Sequence, residues 1–379
     1  MGNCPRIMNA HQWNECDIYD PPAANFRAKC RNETTRLEQP TTFIDEHRGD
    51  LIMKGSTLGG YILRRLWQTV PVILGVVVVN FLLLQLAPGD LATVLAGEAG
   101  GASPEFIEAM RERFGQDQPV YIQLLYYMGN LLTLDLGYSF RQSAPVLDLL
   151  LERLGPTLLL MGATLVLSLS LGILMGLLSA LWVRTWKDHV ISIAAIIFYA
   201  TPLFWVGLML VLVFSIKLDW FPTSGMEDVV AFYEGWDRVV DIAHHLVLPT
   251  ITLSLFYLAL YARLMRASML EQRGLDYVTT ARAKGLTNSQ ITRRHVFRNA
   301  LLPVVTMAGI QTGALLGGSV VVEAVFAWPG LGQLAYQSLF ARDYNLLLGI
   351  FFLSACLVVL VNLLVDIIYV MLDPRIRIG

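Results

Sequence analysis

The side chains able to do chemistry are few and poorly grouped. Cys4, Cys16 and Cys30 share the N-terminal stretch with His11 and His47, which are metal-ligating residue types. Their spacings match no ligand pattern, and the chain has no C-x-x-C pair. Cys356 sits inside an apolar run and reads as a small buried hydrophobe. His244 and His245 are adjacent, so on a helix they point apart instead of forming an i,i+4 ligand pair; they read as interface histidines. No metal site is expected. Nor does the chain hold G-x-x-x-x-G-K-[ST], His-Glu-x-x-His or G-x-S-x-G. Without a phosphate-cradling loop or a nucleophile beside a base, the expectation is a protein that catalyses nothing and binds no cofactor of its own.

Charges within the apolar runs come next. Arg263, Arg266, Glu323 and Asp366 lie there, all towards the ends of their runs. Ion-coupled transporters place carboxylates or histidines near the membrane midplane, and none stands there. Glu323 has two readings: a residue lining a pathway or gate, or a helix-end charge in the headgroup zone. Asp366 reads as a snorkelling or Arg-paired group near the inner face. In the same run as Glu323, Gly309, Gly313 and Gly317 recur every fourth residue, a small-xxx-small pattern that lets helix backbones approach closely. These four residues are the pathway or packing candidates, and they place this run at the centre of a bundle.

The elements that must position these groups follow from composition. Of 379 residues, 55% are apolar and only 15% charged, against about 25% in a soluble domain. Disordered, collagen-like and nucleic-acid-binding chains are excluded, as each needs more charge, Gly or Pro. Residues 1–57 read as a disordered cytoplasmic tail; Pro21-Pro22 and scattered charges fill it, without the apolar core and cleavage site of a signal peptide, and Met53 is a conceivable start. From residue 58 onward the chain reads as one membrane domain. Runs of about 20 apolar residues suffice to span a bilayer. Six fit, at about 61–86, 156–183, 188–216, 245–270, 300–325 and 346–371. Pro156 and Pro303 read as first-turn prolines of their helices, Pro202 and Pro249 as kinks. Lys and Arg gather before the first run, at 184–188, at 271–299 and after the last, whereas 88–155 and 218–243 are acidic. The positive-inside rule then puts both termini in the cytoplasm. The segment 88–155 reads as a small helical extracytoplasmic cap. One helix follows Ser103-Pro104 and ends at Gly115; another runs from Val120 to Leu132. The predicted fold class is therefore all-α, a polytopic membrane protein with six transmembrane helices.

The loop 271–299 is the most informative stretch. Asp276 can N-cap a helix ending near Lys284, with Gly285 as the residue just past its end. Thr287-x-x-Gln290 is a capping-box pattern for a second short helix through His295 and Arg298. Small residues beside Tyr277 and Val278 suit insertion into a partner's groove. The competing reading is a basic loop lying on anionic lipid; the helix-glycine-helix punctuation favours protein docking.

Here the chain becomes recognisable. Ala281-Arg282-Ala283-Lys284-Gly285-Leu286, then Arg294-His295 and Arg298-Asn299-Ala300-Leu301-Leu302-Pro303, resemble the cytoplasmic signature of ABC-importer permeases. More narrowly they resemble the B-type permease subunit of the dipeptide/oligopeptide importers. Leu86-Ala87-Pro88-Gly89-Asp90, Asp135-Leu136-Gly137-Tyr138-Ser139, Trp220-Phe221-Pro222-Thr223-Ser224-Gly225, Arg266-Ala267-Ser268-Met269-Leu270, Pro329-Gly330-Leu331-Gly332 and Asp373-Pro374-Arg375 support this. The resemblance covers about residue 58 to the end. It departs at Thr279-Thr280-Ala281, where the general signature begins Glu-Ala-Ala. It implies a bacterial inner-membrane permease subunit that forms half of a pathway for peptides or peptide-like solutes. The implied partners are a second homologous permease, two ATPase subunits carrying ATP-Mg, an extracytoplasmic substrate-binding protein and the lipid bilayer, with no nucleic acid. The implied ATPase-coupling residues are Tyr277, Thr280, Ala281, Arg282, Ala283, Lys284, Gly285, Leu286 and His295. The resemblance leaves the solute open among dipeptides, longer peptides, glutathione, nickel chelates and sugars. A secondary transporter or channel, or a membrane-bound enzyme or assembly scaffold, are the readings from other classes. The first would need a coupling-ion site in this chain, and neither would need an ATPase.

Overall fold

The computed structural model describes residues 58–86, 118–139 and 141–372. The tail 1–57, the segment 87–117 with the helix expected after Ser103-Pro104, and the closing Asp373-Pro374-Arg375 lie outside the described residues, as does the side chain of Asp366. The described chain is mostly helical and carries one minimal ribbon, a small departure from the all-α expectation. In that ribbon β1 (Tyr138–Ser139) pairs antiparallel with β2 (Ala144–Pro145).

Helix α1 runs Leu58–Leu86 and α2 runs Val120–Leu132. Helix α3, Val146–Leu181, starts well before Pro156, so that proline is internal and not a first-turn residue. Its carbonyl oxygen accepts a 2.9 Å hydrogen bond from the Trp328 indole, which ties the segment around Trp328 to this helix.

The expected single span 188–216 is broken. Helix α4 is Trp186–Ala200 and α5 is Leu203–Lys217, bent by 104° at Thr201-Pro202. The residue before a proline is pushed out of the α region, and both Thr201 and Pro202 adopt extended backbone, with ψ of 132°. Pro249 has no such effect: α6, Gly235–Arg273, passes through it unbroken for 39 residues. At 1.5 Å per residue that is about 58 Å, nearly twice a hydrocarbon core of about 30 Å.

Helix α7 is Asp276–Ala283. The second hairpin helix and the fifth run, expected to be separate, are one continuous 38-residue helix α8, Asn288–Val325. It begins at the Thr287 capping box, which is formed, and passes through wide π-type turns at Thr292–Val296. Pro303 is again internal. The expected loop 271–299 thus shrinks to 274–287. Helices α9 (Leu331–Ala341) and α10 (Tyr344–Leu372) complete the chain.

Among the described residues, α3, α6, α8 and α10 are long and apolar enough to cross a membrane. The bent pair α4–α5 makes a fifth if it counts as one span, and α1 contributes a shorter apolar stretch, Trp67–Leu83. The centre is α6, not the glycine-bearing α8: 61% of its apolar window is buried within this chain, against 28% for α8. Leu253, Tyr257, Tyr261, Met265 and Met269 of α6 pack with Leu160 of α3 and Val304, Ala308 and Leu315 of α8. Gly172 and Gly176 make the α3–α6 contact possible. A Cβ on Gly176 would lie 2.5 Å from the Ala262 carbonyl oxygen, so these backbones touch. A second apolar cluster joins Val146 and Leu150 of α3 to Leu331 and Leu334 of α9 and Leu346 and Ile350 of α10.

Candidate functional site

The hairpin 274–287 is built locally. Helix α7 is N-capped by Leu275, without a side-chain bond, so Asp276 is the first helical residue and not the cap expected of it. There its carboxylate still faces the positive end of the helix dipole. The other end is a Schellman turn: Leu286 N–H donates to the Ala281 carbonyl (3.3 Å) and Gly285 N–H to the Arg282 carbonyl (2.9 Å). Gly285 has φ +81°, the left-handed conformation that this turn needs and that glycine adopts without strain. Two residues later, Thr287 Oγ1 accepts from Gln290 N–H while Gln290 Oε1 accepts from Thr287 N–H.

This short helix has two faces. Val278 and Ala281 are buried and belong to the main core, with Ile291 and Val296 of α8. Tyr277 and Leu286 pack against the same cluster, and the Tyr277 hydroxyl donates to Gln272 Oε1 at 2.8 Å. Thr279, Thr280, Arg282, Ala283, Lys284 and Gly285 are exposed. The outer face therefore presents small side chains flanked by two cations. The Thr280 hydroxyl is turned back onto the Asp276 carbonyl. Ala281 faces inward, and among the candidate residues it is the one buried in the core. His295 lies apart from this face, half-buried in the π turns of α8.

The four pathway or packing candidates do not form one stripe. Gly309 is buried on α8. Gly313 faces Val358 and Asn362 of α10, while Gly317 has open space where a side chain would be. Its neighbour Gly318 packs on Leu253 and Tyr257 of α6. Glu323 is fully buried and is bound as a fastener. Oε1 accepts from the Thr157 hydroxyl (3.0 Å), and Oε2 accepts from the backbone N–H groups of Gly332 (2.7 Å) and Gln333 (3.1 Å). Those N–H groups open α9, where a helix offers unpaired donors and partial positive charge. Thr157 Oγ1 also accepts from Leu331 N–H at 2.8 Å. The Pro329-Gly330-Leu331-Gly332 motif follows from this packing. A Cβ on Gly330 would collide with the Glu323 carboxylate, and one on Gly332 would sit 2.5 Å from Val320 Cα.

Two further carboxylates were not singled out by the sequence. Asp188, in the first turn of α4, is buried. Arg266 of α6 grips it with both arms, Nε to Oδ1 and Nη2 to Oδ2, each at 2.8 Å. The Ser179 hydroxyl donates a short hydrogen bond to Oδ1, and Arg184 N–H donates to Oδ2 at 3.1 Å. Asp343 is buried between α9 and α10. Its Oδ2 accepts from the Ser139 hydroxyl at 2.5 Å and its Oδ1 from Leu346 N–H at 3.1 Å, which caps α10. The Asp-Leu-Gly-Tyr-Ser motif thereby ties the ribbon to the start of the last helix. The available signals were Arg266, inside an apolar run and needing a counter-charge, and Asp343 three residues before an apolar N–H.

Outside the bundle, Arg238 Nε and Nη2 donate to Glu227 at 2.6 and 3.2 Å. That pairing holds the Glu227 carboxyl below its ordinary range. Among the described residues no cluster of three or more His, Cys, Asp or Glu is placed to hold a metal.

Comparison with known proteins bears on the same residues. The profile of the family described as "Binding-protein-dependent transport system inner membrane component" matches residues 172–378. Its companion, "Binding-prot-dependent transport system membrane comp, N-term", matches residues 59–161. The oligopeptide transport system permease protein AppB of Bacillus subtilis is 40% identical over 325 residues, covering 84% of this chain and 100% of that protein. The probable D,D-dipeptide transport system permease protein DdpB of Escherichia coli K12 is 40% identical over 331 residues, covering 83% of this chain and 97% of its own. The glutathione transport system permease protein GsiC of Escherichia coli O6:H1 is 38% identical over 317 residues, covering 84% and 98%. Among solved structures, an inward-facing form of the MetNI methionine ABC transporter aligns with a TM-score of 0.48 and 20% identity, covering 60% of this chain and 97% of that one.

Proposed function

We propose that this chain, which belongs to the family of inner membrane components of binding-protein-dependent transport systems, is the permease subunit of an ATP-driven importer for peptides or peptide-like solutes. The observation that carries the reading is the two-faced helix α7. It is anchored inward by Val278 and Ala281, stopped by a glycine turn, and shows a small-residue face with Arg282 and Lys284 outward. Such a face suits insertion into a groove on a protein whose rim carries carboxylates. Its anchor residues belong to the core of α6 and α8, so a displacement of α7 is a displacement of the bundle centre.

In this reading two cytoplasmic ATPase subunits dock on α7 and supply ATP-Mg, and this chain binds no nucleotide. A second homologous permease completes the pathway, and an extracytoplasmic binding protein delivers the solute. Six spans then cross the inner membrane: α1, α3, the bent pair, α6, α8 and α10. Both termini lie inside, and the segment before α3 forms the outer cap. Nucleotide-driven closure of the ATPases biases the pair between inward-open and outward-open states. Peptide chemistry for the solute rests on the names carried by relatives such as AppB and DdpB.

The test is reconstitution in vesicles with both ATPases, the second permease and the binding protein. Labelled peptide uptake should require ATP. Arg282→Glu with Lys284→Glu should leave membrane insertion intact, reduce recovery of the ATPases on affinity purification, and stop uptake. Uptake by the purified chain alone would refute the reading, as would wild-type uptake by the double charge reversal.

A further inference from the structure

Helix α4 is weakly rooted in this chain. Of its fifteen residues only Asp188 and Ala195 are buried. Trp186, Val190, Ile193, Ile196 and Ile197 are all more than half exposed. Apolar packing within the chain therefore does little to fix its position. What fixes it is polar and aromatic, and nearly all of it leads to α6. Arg266 forks onto Asp188 at one end of α4. At the other, the Arg263 guanidinium lies 4.5 Å over the Tyr199 ring, which itself stacks on Phe256 with centroids 5.0 Å apart. The end of α3 is drawn into the same knot: Ser179 donates to Asp188, and Arg273 Nη1 donates to the Ala180 carbonyl at 2.7 Å. Helix α6 in turn leads directly into α7, with only Gly274 and Leu275 between them. Arg266 stands seven residues before the end of α6, about 10 Å along the helix.

Asp188 is buried but the Arg266 side chain is about one-third exposed, so desolvation of the carboxylate and solvent screening of the guanidinium together offset much of the pair's attraction, and it is a poor device for stability. A bidentate fork, however, fixes distance and angle together. We propose that Asp188 and Arg266 are positioning residues that make α4, and with it the bent arm α4–α5, follow α6 when a partner displaces α7. The proposal rests on the permease reading above. It deepens that reading by naming how the stroke leaves the central helix: the pin transmits motion, a role for its charges beyond placing the helices.

The test uses the complete reconstituted complex and a pool of tritiated di- to pentapeptides. It measures ATP hydrolysis, peptide taken up per ATP, and the thermal midpoint. Asp188→Asn alone leaves Arg266 facing an uncharged partner and should lower the midpoint. Adding Arg266→Gln removes both charges at nearly constant size, and should return assembly and midpoint to near the wild type. If the pair were only structural, coupling would return too. Instead, peptide per ATP should stay about tenfold below wild type while hydrolysis continues, since a geometry-fixing charged bond has been lost. Arg266→Lys, which keeps the charge and loses the fork, should fall between. A double variant with the wild-type ratio overturns the proposal. If the double variant does not assemble, Arg266→Lys decides: an unchanged ratio overturns the proposal and a lowered one upholds it. A wild-type complex that takes up peptide without ATP overturns the permease reading itself, and the pin with it, before any variant is compared.

Discussion

Replacing Glu323 tests whether it is a fastener or a group facing a pathway. Glu323→Ala leaves three donors without their acceptor: the Thr157 hydroxyl and the N–H groups of Gly332 and Gln333. Each buried donor left unpaired costs about 1–3 kcal/mol. The three share one acceptor and relax together, so the sum is discounted to about 3–5 kcal/mol. For a chain of 379 residues the unfolding entropy is about 0.8 kcal/mol/K, so each kcal/mol moves the thermal midpoint by about 1.3 °C and the expected fall is about 4–6 °C. Glu323→Gln should fall far less. Its amide oxygen can take both backbone donors while its NH2 turns to Thr157 Oγ1, leaving the weaker bonding of a neutral acceptor. Gly332→Ala should reproduce much of the alanine loss with the carboxylate intact. Its Cβ would lie 2.9 Å from Glu323 Oε2 and 2.5 Å from Val320 Cα, and overpacking costs about 1–3 kcal/mol. The assay is thermal unfolding of the purified chain in nanodiscs, paired with ATP-driven uptake by the complex. A Glu323→Ala midpoint within about 1 °C of wild type, far short of the shift worked out above, together with altered uptake, would show that the carboxylate lines the pathway and would refute this reasoning.

Two further outcomes are open to direct measurement. Gly285→Ala must hold a left-handed conformation at φ +81°, at a cost of about 1–2 kcal/mol, and Gly285→Pro cannot adopt it at all. ATPase recovery on affinity purification should therefore drop modestly for alanine and be lost for proline; equal recovery for wild type and proline would contradict the role given to α7. Between α5 and α6, the Arg238 pairing depresses the Glu227 pKa below its ordinary 4.5. A depressed carboxylate stabilises the loop contact above 4.5, and that contribution is lost as pH falls through the lower folded value. Carbon-13 titration of labelled glutamate should show the wild-type midpoint below that of Arg238→Gln; coincident midpoints would remove the pair from the account.

What the sequence made legible was periodic or local. Long apolar runs announce α3, α6, α8 and α10 because a bilayer selects length and composition. The α7 hairpin was legible because its punctuation, Gly285 and the Thr287–Gln290 box, is written in neighbouring residues. Prolines misled where tertiary partners decide their effect. Pro156 and Pro249 sit inside unbroken helices, whereas Pro202 breaks one by 104° with an extended Thr201 before it. The buried carboxylates were the least legible. Asp188 and Arg266 lie 78 residues apart and Ser139 and Asp343 204 apart, so no window of sequence contains both members of either pair.

These polar pairs share a logic that the surrounding apolar packing cannot supply. In a bilayer, lipid tails solvate Leu and Val as well as another helix does, so apolar contact alone does not dictate which helix lies beside which. A buried carboxylate with several matched donors does dictate it, because any other arrangement leaves donors and charge unpaired. Helix α3 carries such a fastening at each end. Thr157 and the Pro156 carbonyl meet Glu323 and Trp328 near its start; Ser179 and the Ala180 carbonyl meet Asp188 and Arg273 near its finish. Between them Gly172 and Gly176 bring its backbone against α6. Fastened to the end of α8 near its start, to α4 and α6 near its finish, and in van der Waals contact with α6 along its middle, α3 cannot slide along α6 without breaking these bonds. Glycine and acid in this chain thus serve one end that apolar packing does not: they fix which helices lie side by side, and α3 beside α6 is the clearest case.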